Sequence, residues 1–135
     1  MDFNSEAYQQ QKLFEWAGTV LGAYPELKFM HHIPNGGARG STAKERAIRG
    51  AQLKAQGVKK GVPDICLPVK RGEFSGLYIE MKKPSLEPKR EGSKGGVSEE
   101  QAEFIYFLEY QGFKCSVCYT WEQAANVISA YLMRT

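Results

Sequence analysis

The sequence predicts an α/β fold in which a mixed central sheet is flanked by helices. Three observations lead to this prediction. The chain has 135 residues, which suits one domain with a modest core. Stretches with helical apolar spacing alternate with short apolar runs typical of strands. Capping residues and glycines mark their ends. The resulting order is α-β-α-β-β-α-β-α, in a single domain over residues 1–135.

The first helix and the first strand are predicted before residue 35. Asn4 or Ser5 can cap a helix that runs to about Gly18 or later, because both side chains accept hydrogen bonds from a first helical turn. Residues 27–33 have the composition of a strand, and Pro34 ends it.

A basic helix and two paired strands follow. Residues 42–45 read Thr-Ala-Lys-Glu, a capping-box pattern that opens a helix ended by Gly57. Residues 64–69 and 76–82 are predicted strands, and the short connection at 70–73 indicates that they pair.

The last third begins with a polar segment, residues 83–97, that we expect to be a flexible surface loop. Residues 98–101 read Ser-Glu-Glu-Gln, a second capping box, and open a helix that Gly112 ends. A strand over 113–119 and a final helix over 120–133 complete the order.

Composition excludes several classes of protein. Apolar content of 42% and charged content of 24% are ordinary for a globular protein, and no run approaches the ~20 apolar residues of a membrane span. Residues 1–6 lack the pattern of a secretory signal, so we expect a cytoplasmic protein without a membrane partner. Cys115 and Cys118 would face opposite sides of a strand, which disfavours a zinc site.

Positive charge is concentrated in the middle of the chain. Residues 39–94 contain 14 Lys or Arg against 6 Asp or Glu, a net of +8, whereas the remaining residues contain 4 against 9, a net of −5. This distribution favours a phosphate backbone as the partner, with binding that weakens as salt rises. A solvated face of lysines is the alternative interpretation.

The residues with the strongest chemical signal lie at the two paired strands. Asp64 follows Pro63 and opens one strand, and Glu80 and Lys82 end the next. Side chains alternate along a strand, so Glu80 and Lys82 share a face while Met81 points away. If the strands pair, Asp64 joins that face. Two carboxylates can then hold Mg²⁺, with a lysine close enough to act on a water.

These residues resemble the Pro-Asp…Glu-x-Lys motif of the PD-(D/E)xK nucleases. A longer ordered set is similar to a VRR-NUC domain, the virus-type replication-repair nuclease branch of that superfamily, over nearly the whole chain. The resemblance implies a restriction-endonuclease-like α-β-β-β-α-β core, with an inserted helix and a C-terminal helix. The segments that carry it are residues 5–6, 33–37, 53–58, 61–65, 78–82 and 98–101.

The resemblance implies a Mg²⁺ site in which Mn²⁺ can substitute. We expect Asp64 to bridge the metal and a phosphate oxygen, and Glu80 to be the second carboxylate ligand. The Met81 backbone carbonyl would complete the protein ligands, which suffices because Mg²⁺ keeps several waters. Lys82 is expected to activate or hold the attacking water, or to neutralise charge developing on phosphorus.

Two further positions have alternative explanations. Glu6 matches a family glutamate on the first helix that contributes to the metal site, often through water or a second ion. An acid in a first helical turn also simply suits the helix dipole. Gln101 matches a polar position expected to orient phosphate or water. Its place in the capping box explains it equally well.

The predicted DNA contacts lie in the basic block. Asn35 and Arg39 occupy a glycine-rich turn where backbone can approach phosphate and Arg can bind it bidentately, although Asn35-Gly36 also suits a tight turn. The other expected backbone contacts are Lys44, Arg46, Arg49 and Lys83.

The leading hypothesis is a metal-dependent, structure-selective DNA endonuclease without a small-molecule cofactor. It would cut branched DNA, with Holliday junctions or repair intermediates as the expected substrates. By resemblance to compact phage-like members we expect a homodimer, since a four-way junction needs two incisions. One alternative is a non-catalytic nucleic-acid-binding module on the same fold. The other is a sequence-specific restriction-type endonuclease.

Overall fold

A four-stranded mixed sheet with helices around it forms the structure, which is a computed structural model describing residues 2–34 and 40–135. Within these residues the chain order matches the predicted α-β-α-β-β-α-β-α, with two additional 3₁₀ helices at Pro25–Phe29 and Pro84–Leu86. The helices are α1 (Glu6–Thr19), α2 (Ala43–Ala55), α3 (Glu99–Tyr110) and α4 (Trp121–Leu132). The strands are β1 (His31–His32), β2 (Ile65–Leu67), β3 (Leu77–Met81) and β4 (Lys114–Cys118).

The strands lie side by side in chain order, with two kinds of pairing. β2 pairs antiparallel with β3, and Ile65 lies opposite Ile79. β4 pairs parallel with β3, which requires a crossover that α3 provides. β1 adds two residues antiparallel to β2. Because Ile65 lies opposite Ile79, the next pair in the same register places Asp64 beside Glu80.

The core lies on one face of the sheet, beneath α1 and α4. Leu77, Ile79 and Met81 are each almost fully buried there, as alternation along β3 requires. They belong to the same hydrophobic cluster as Leu13 of α1 and Ile128 of α4. The other residues of β3, including Glu80, therefore face away from this core.

Each α-helix begins where its capping residue predicts. A hydroxyl oxygen accepts a hydrogen bond from the backbone N–H three residues further on in all four helices. At α2 the capping box is incomplete, because Glu45 accepts hydrogen bonds from the backbone N–H and the hydroxyl of Ser41 instead. The four caps are Ser5, Thr42, Ser98 and Thr120.

The predicted strand over residues 27–33 is wrong in its first half. Leu27 and Met30, three apart, are both buried, while Phe29 between them is 63% exposed. That spacing fits the three-residue repeat of a 3₁₀ helix and not the two-residue repeat of a strand. Pro25 favours this start because its fixed φ suits a first helical position. Only His31–His32 remain as a strand.

The segment 83–97 is held by hydrogen bonds to Tyr119, which directly follows β4, and to α4, although its composition predicted a flexible loop. The buried Tyr119 hydroxyl donates to the carbonyl oxygen of Gly95 at 2.9 Å. Gln123 donates from Nε2 to Glu87 Oε2, also at 2.9 Å.

In the described ranges the longest helix has 14 residues, and no helix has the length and apolarity that a bilayer crossing requires.

Candidate active site

The three residues with the strongest chemical signal converge at one end of β2 and β3. Asp64 directly precedes β2, Glu80 lies in β3 and Lys82 directly follows it. All three are buried, with 4%, 2% and 8% of their surface exposed. Lys82 Nζ lies 3.5 Å from Glu80 Oε2, so the two side chains share a face as predicted. Met81 points the other way, into the core.

Asp64 is held by its neighbours on both sides in the sheet. Its carboxylate Oδ2 accepts a hydrogen bond from the backbone N–H of Met81 at 2.8 Å. Its backbone carbonyl oxygen accepts from the N–H of Ile33 at 2.6 Å and lies 2.9 Å from His32 Nδ1. A carbonyl oxygen only accepts, so the His32 bond requires the proton on Nδ1. Backbone and side chain of Asp64 are thus both fixed.

Gln101 takes part in the helix cap and in the carboxylate site at once. Its Oε1 accepts from the backbone N–H of Ser98 at 2.9 Å, which closes the capping box of α3. Its Nε2 donates to Glu80 Oε2 at 3.1 Å. The two explanations offered by the sequence therefore coexist, because opposite ends of one amide serve them.

Burial makes ionisation of both carboxyl groups unfavourable. Desolvation, then the neighbouring charge of Asp64, raises the pKa of Glu80 to about 8, and Lys82 opposes this shift. Desolvation also raises the pKa of Asp64, while the hydrogen bond from Met81 opposes it. Two carboxylates and one lysine in this space leave a deficit of positive charge.

Glu6 lies close enough to Asp64 and Lys82 for their charges to shift its pKa. Its half-buried carboxyl group has a raised pKa, first from desolvation and then from Asp64, whereas Lys82 and His32 lower it. In residues 2–34 and 40–135, however, no three His, Cys, Asp or Glu side chains are grouped so that they could hold a metal together. Participation of Glu6 in metal binding stays a prediction.

The donor set at Asp64 and Glu80 fits Mg²⁺ or Mn²⁺. Among the described residues, Glu80 Oε1 is buried and has no hydrogen-bond partner, which is costly for a carboxylate oxygen unless a cation binds it. Hard divalent cations take oxygen ligands, and Mg²⁺ commonly binds through one or two carboxylates plus water. A site with two carboxylates is therefore sufficient. The Met81 carbonyl as a third ligand stays a prediction.

The predicted DNA contacts divide into two groups. Lys44, Arg46 and Arg49 are exposed on α2, and Lys83 is exposed directly after Lys82. Exposure leaves these four cations available to phosphate. Asn35 and Arg39 lie outside the described residues.

His32 is a site residue that the sequence did not identify. The adjacent residues His31 and His32 would face opposite sides of a strand, which counted against a shared zinc site and indicated no other role. Its position follows from the β1–β2 register, in which His32 lies opposite Ile65, next to Asp64. A two-residue edge strand has no periodicity from which this pairing could be predicted.

Comparison with known proteins agrees with this architecture. Residues 19–121 match the model of the VRR-NUC domain. The chain belongs to the VRR-NUC family. A solved structure described as a VRR_NUC domain protein superimposes with a TM-score of 0.70 at 25% identity, covering 98% of this chain and 91% of that one. A search of curated proteins gave no match.

The VRR-NUC match includes the residues around the two strands but not Glu6. It spans Asp64, Glu80, Lys82 and Gln101, and it implies a nuclease-type fold around them. Glu6 precedes the matched residues, so the match does not bear on the role predicted for it.

Proposed function

We propose that this VRR-NUC protein is a Mg²⁺-dependent endodeoxyribonuclease, with Mn²⁺ able to substitute, that cuts branched DNA. The observation that carries the proposal is Glu80 Oε1, a buried carboxylate oxygen without a partner among the described residues, beside Asp64 and Lys82. A buried polar atom without a hydrogen-bond partner lowers the stability of the fold, so its presence here supports a functional site.

Asp64 and Glu80 would hold the metal, which supplies Lewis-acid activation of the scissile phosphate and lowers the pKa of a bound water. Gln101 keeps Glu80 Oε2 in place, leaving Oε1 free. Lys82 positions the attacking water and balances the negative charge that builds on phosphorus. The water oxygen bonds to phosphorus and releases a proton, the bond from phosphorus to the 3′ oxygen breaks, and that oxygen takes up a proton. The products are 5′-phosphate and 3′-hydroxyl ends.

The exposed basic side chains support DNA as the substrate. Lys44, Arg46 and Arg49 are exposed on α2, and the exposed Lys83 directly follows Lys82. The net charge of +8 over residues 39–94 favours binding to a negatively charged phosphate backbone. We propose four-way junctions or related repair intermediates as the substrate, in the cytoplasm. Paired cuts in such junctions would be made by a homodimer.

A panel of labelled substrates of one sequence tests this proposal. Four-way junctions, 5′ flaps, duplex and single strands are incubated with wild-type protein in Mg²⁺, Mn²⁺ or EDTA. We expect paired, symmetric nicks in the junction that EDTA abolishes. Cutting of unbranched duplex at fixed sequences would instead favour a restriction-type enzyme. Tight junction binding without cutting in either metal would favour a non-catalytic module.

A further inference from the structure

The segment 83–97 is held in place although it buries almost nothing. Of its 15 residues only Gly95 is buried. Ordering a polar segment costs conformational entropy, and burial of apolar surface is what normally offsets that cost. With so little burial, the fixed position of this segment favours a function that needs its residues in place.

Two hydrogen bonds hold the segment at two separate points. The Tyr119 hydroxyl donates to the carbonyl oxygen of Gly95 at 2.9 Å, and a Cβ on Gly95 would overlap that hydroxyl. Gly95 therefore packs directly against Tyr119. Gln123 of α4 donates to the carboxylate of Glu87 at 2.9 Å. The first and the second half of the segment are thus both attached to the rest of the protein.

The segment lies at the edge of the sheet that carries the candidate active site. It begins directly after Lys82 and leads into α3, where Gln101 binds Glu80. β3 and β4 run parallel and end side by side, so Tyr119, which directly follows β4, lies at the same end of the sheet as Lys82. The segment is therefore anchored at the active-site edge at its start, at its end and in between.

Exposed basic side chains give the segment a cationic surface. Its charged residues are Lys83, Lys89, Arg90 and Lys94, with Glu87 and Glu91. All four basic side chains are exposed, and none of them forms an ion pair within residues 2–34 and 40–135. The carboxylate of Glu87 is already bound by Gln123. Cations without an acidic partner, next to a site that cuts a phosphodiester, are suited to binding the neighbouring phosphates.

We propose that the segment 83–97 is a preorganised binding element for the DNA backbone beside the scissile phosphate. Lys89, Arg90 and Lys94 contact phosphates, and the hydrogen bond from Tyr119 to Gly95 keeps the segment in its binding conformation. Tyr119 is a positioning residue, because it acts through the segment. Since the segment is ordered before DNA binds, less conformational entropy is lost on binding. This inference rests on the proposed function, because it takes DNA as the ligand.

Removal of the three cations tests the phosphate contacts. The affinity of Lys89→Gln/Arg90→Gln/Lys94→Gln for a labelled four-way junction is measured in EDTA over a series of salt concentrations. Each lost phosphate contact reduces the steepness of log K against log salt by about 1. We expect a slope about 2 to 3 less steep than that of wild type, and an affinity at least about tenfold lower.

A matched control removes the same charge from the opposite end of the sheet. Lys70 follows the end of β2, and Lys114 and Arg134 lie against the ring of Phe74. Lys70→Gln/Lys114→Gln/Arg134→Gln should therefore keep the wild-type slope. Equal slopes in the two triple variants would reduce the effect to net charge and overturn the proposal. A wild-type slope in the variant of the segment would overturn it as well.

Tyr119→Phe tests the positioning role without a change of charge. It removes the hydroxyl that binds Gly95, so the segment loosens and has to be ordered when DNA binds. We expect about 3- to 10-fold weaker junction binding with an unchanged salt slope. Trypsin should also cleave within residues 89–94 faster than in wild type when DNA is absent. Wild-type affinity in a variant with faster cleavage would refute the positioning role.

Tyr131→Phe is the matched control for Tyr119→Phe. It removes another buried tyrosine hydroxyl that donates to a backbone carbonyl, that of Val69, at 2.6 Å. Thermal melts followed by circular dichroism should show that all four variants fold and that both tyrosine variants lose a similar amount of Tm. Tyr131→Phe should keep wild-type affinity and wild-type trypsin cleavage. Equal losses of affinity in both tyrosine variants would mean that Tyr119 acts through stability alone.

Cutting in Mg²⁺, measured separately, distinguishes this inference from the nuclease proposal. A wild-type protein that cuts junctions, with unaltered binding by Tyr119→Phe and by the triple variant of the segment, would refute the inference and leave the nuclease. Weaker binding by both variants of a protein that cuts nothing would support the inference and refute the nuclease. A wild-type protein that binds no DNA would refute both.

Discussion

The backbone N–H of Met81 donates to the Asp64 carboxylate across the β2–β3 pair at 2.8 Å. Met81 lies between Glu80 and Lys82, so this bond fixes the first carboxylate relative to the other two site residues. It also occupies only one of the two Asp64 oxygens. A rigid carboxylate with a second oxygen is suited to binding a metal in a defined place.

The first prediction tests the hydrogen bond from Gln101 to Glu80 separately from the one that Gln101 accepts from Ser98. Gln101→Glu keeps an oxygen for the Ser98 N–H but replaces the donor to Glu80 with a second carboxylate oxygen. We expect the rate of DNA nicking to fall by about tenfold or more, as for other groups that orient metal ligands. Rates are measured in single-turnover assays with saturating Mg²⁺.

Ser98→Ala is the matched control for Gln101. It removes the hydroxyl half of the same capping box without touching Glu80. The free energy of unfolding should fall by about 1 kcal/mol, while the nicking rate stays within about twofold because Glu80 is undisturbed. Equal rate losses in both variants would show that Gln101 acts through the helix alone.

Lys82→Met tests whether a buried cation is needed beside the carboxylates. The thioether fills the space but removes the charge 3.5 Å from Glu80. We expect the nicking rate to fall by about 10²–10³-fold, the usual effect of losing a group that stabilises transition-state charge. Lys28→Met, at an exposed position, is the control. A Lys82→Met rate within threefold of wild type, roughly 0.6 kcal/mol in barrier height, would exclude this role.

The raised pKa of Glu80 predicts a pH dependence of the metal-free protein. The group titrates at about 8 when folded and near 4.5 when unfolded, so between these values the folded state holds the extra proton. The free energy of unfolding should therefore fall as pH rises through this window. We expect a lower Tm in EDTA at pH 8 than at pH 6, and a smaller difference in Glu80→Gln.

Magnesium should reverse that loss of stability. Binding favours the ionised carboxylate, so added Mg²⁺ should raise the Tm of wild type more at pH 8 than at pH 6. An equal rise in Glu80→Gln would contradict metal binding by Glu80.

Gly61, three residues before Asp64, lies close against the start of α3. This close approach predicts that a side chain at position 61 lowers stability. The φ of Gly61 is +91°, and a Cβ there would lie 2.7 Å from the carbonyl oxygen of Glu100. Gly57 has a similar φ of +102° but open space around it. Gly57→Ala should cost about 1–2 kcal/mol from backbone strain alone, and chemical denaturation should show a larger loss for Gly61→Ala. Equal losses would mean that the close approach is relieved at no cost.

Much of the fold was predictable because its signals are local. The capping residues Ser5, Thr42, Ser98 and Thr120 lie directly before their helices, and the β2–β3 pair follows from a short connection. The 3₁₀ helix at Pro25–Phe29 was missed because Leu27, Lys28 and Phe29 alternate apolar and charged side chains, a short pattern that fits a strand until its burial is known.

The candidate site was predictable where strand alternation determines it. Glu80 and Lys82 share a face for that reason, and their contact was expected. The second contact of Gln101 depends on how α3 packs, and the position of His32 depends on strand register. Neither is encoded in local spacing, so both needed the structure.

The central claim is that Asp64 and Glu80 form a metal-dependent cutting site. The most direct test compares wild-type protein with Asp64→Asn, which keeps the shape of the side chain and removes its charge. Labelled four-way junctions are followed in single-turnover assays with Mg²⁺ or EDTA, and junction binding is measured in parallel. We predict nicking by wild type in Mg²⁺ only, and at least about 10³-fold slower nicking by Asp64→Asn with binding retained. Nicking by Asp64→Asn at the wild-type rate, or by wild type in EDTA, would contradict the claim.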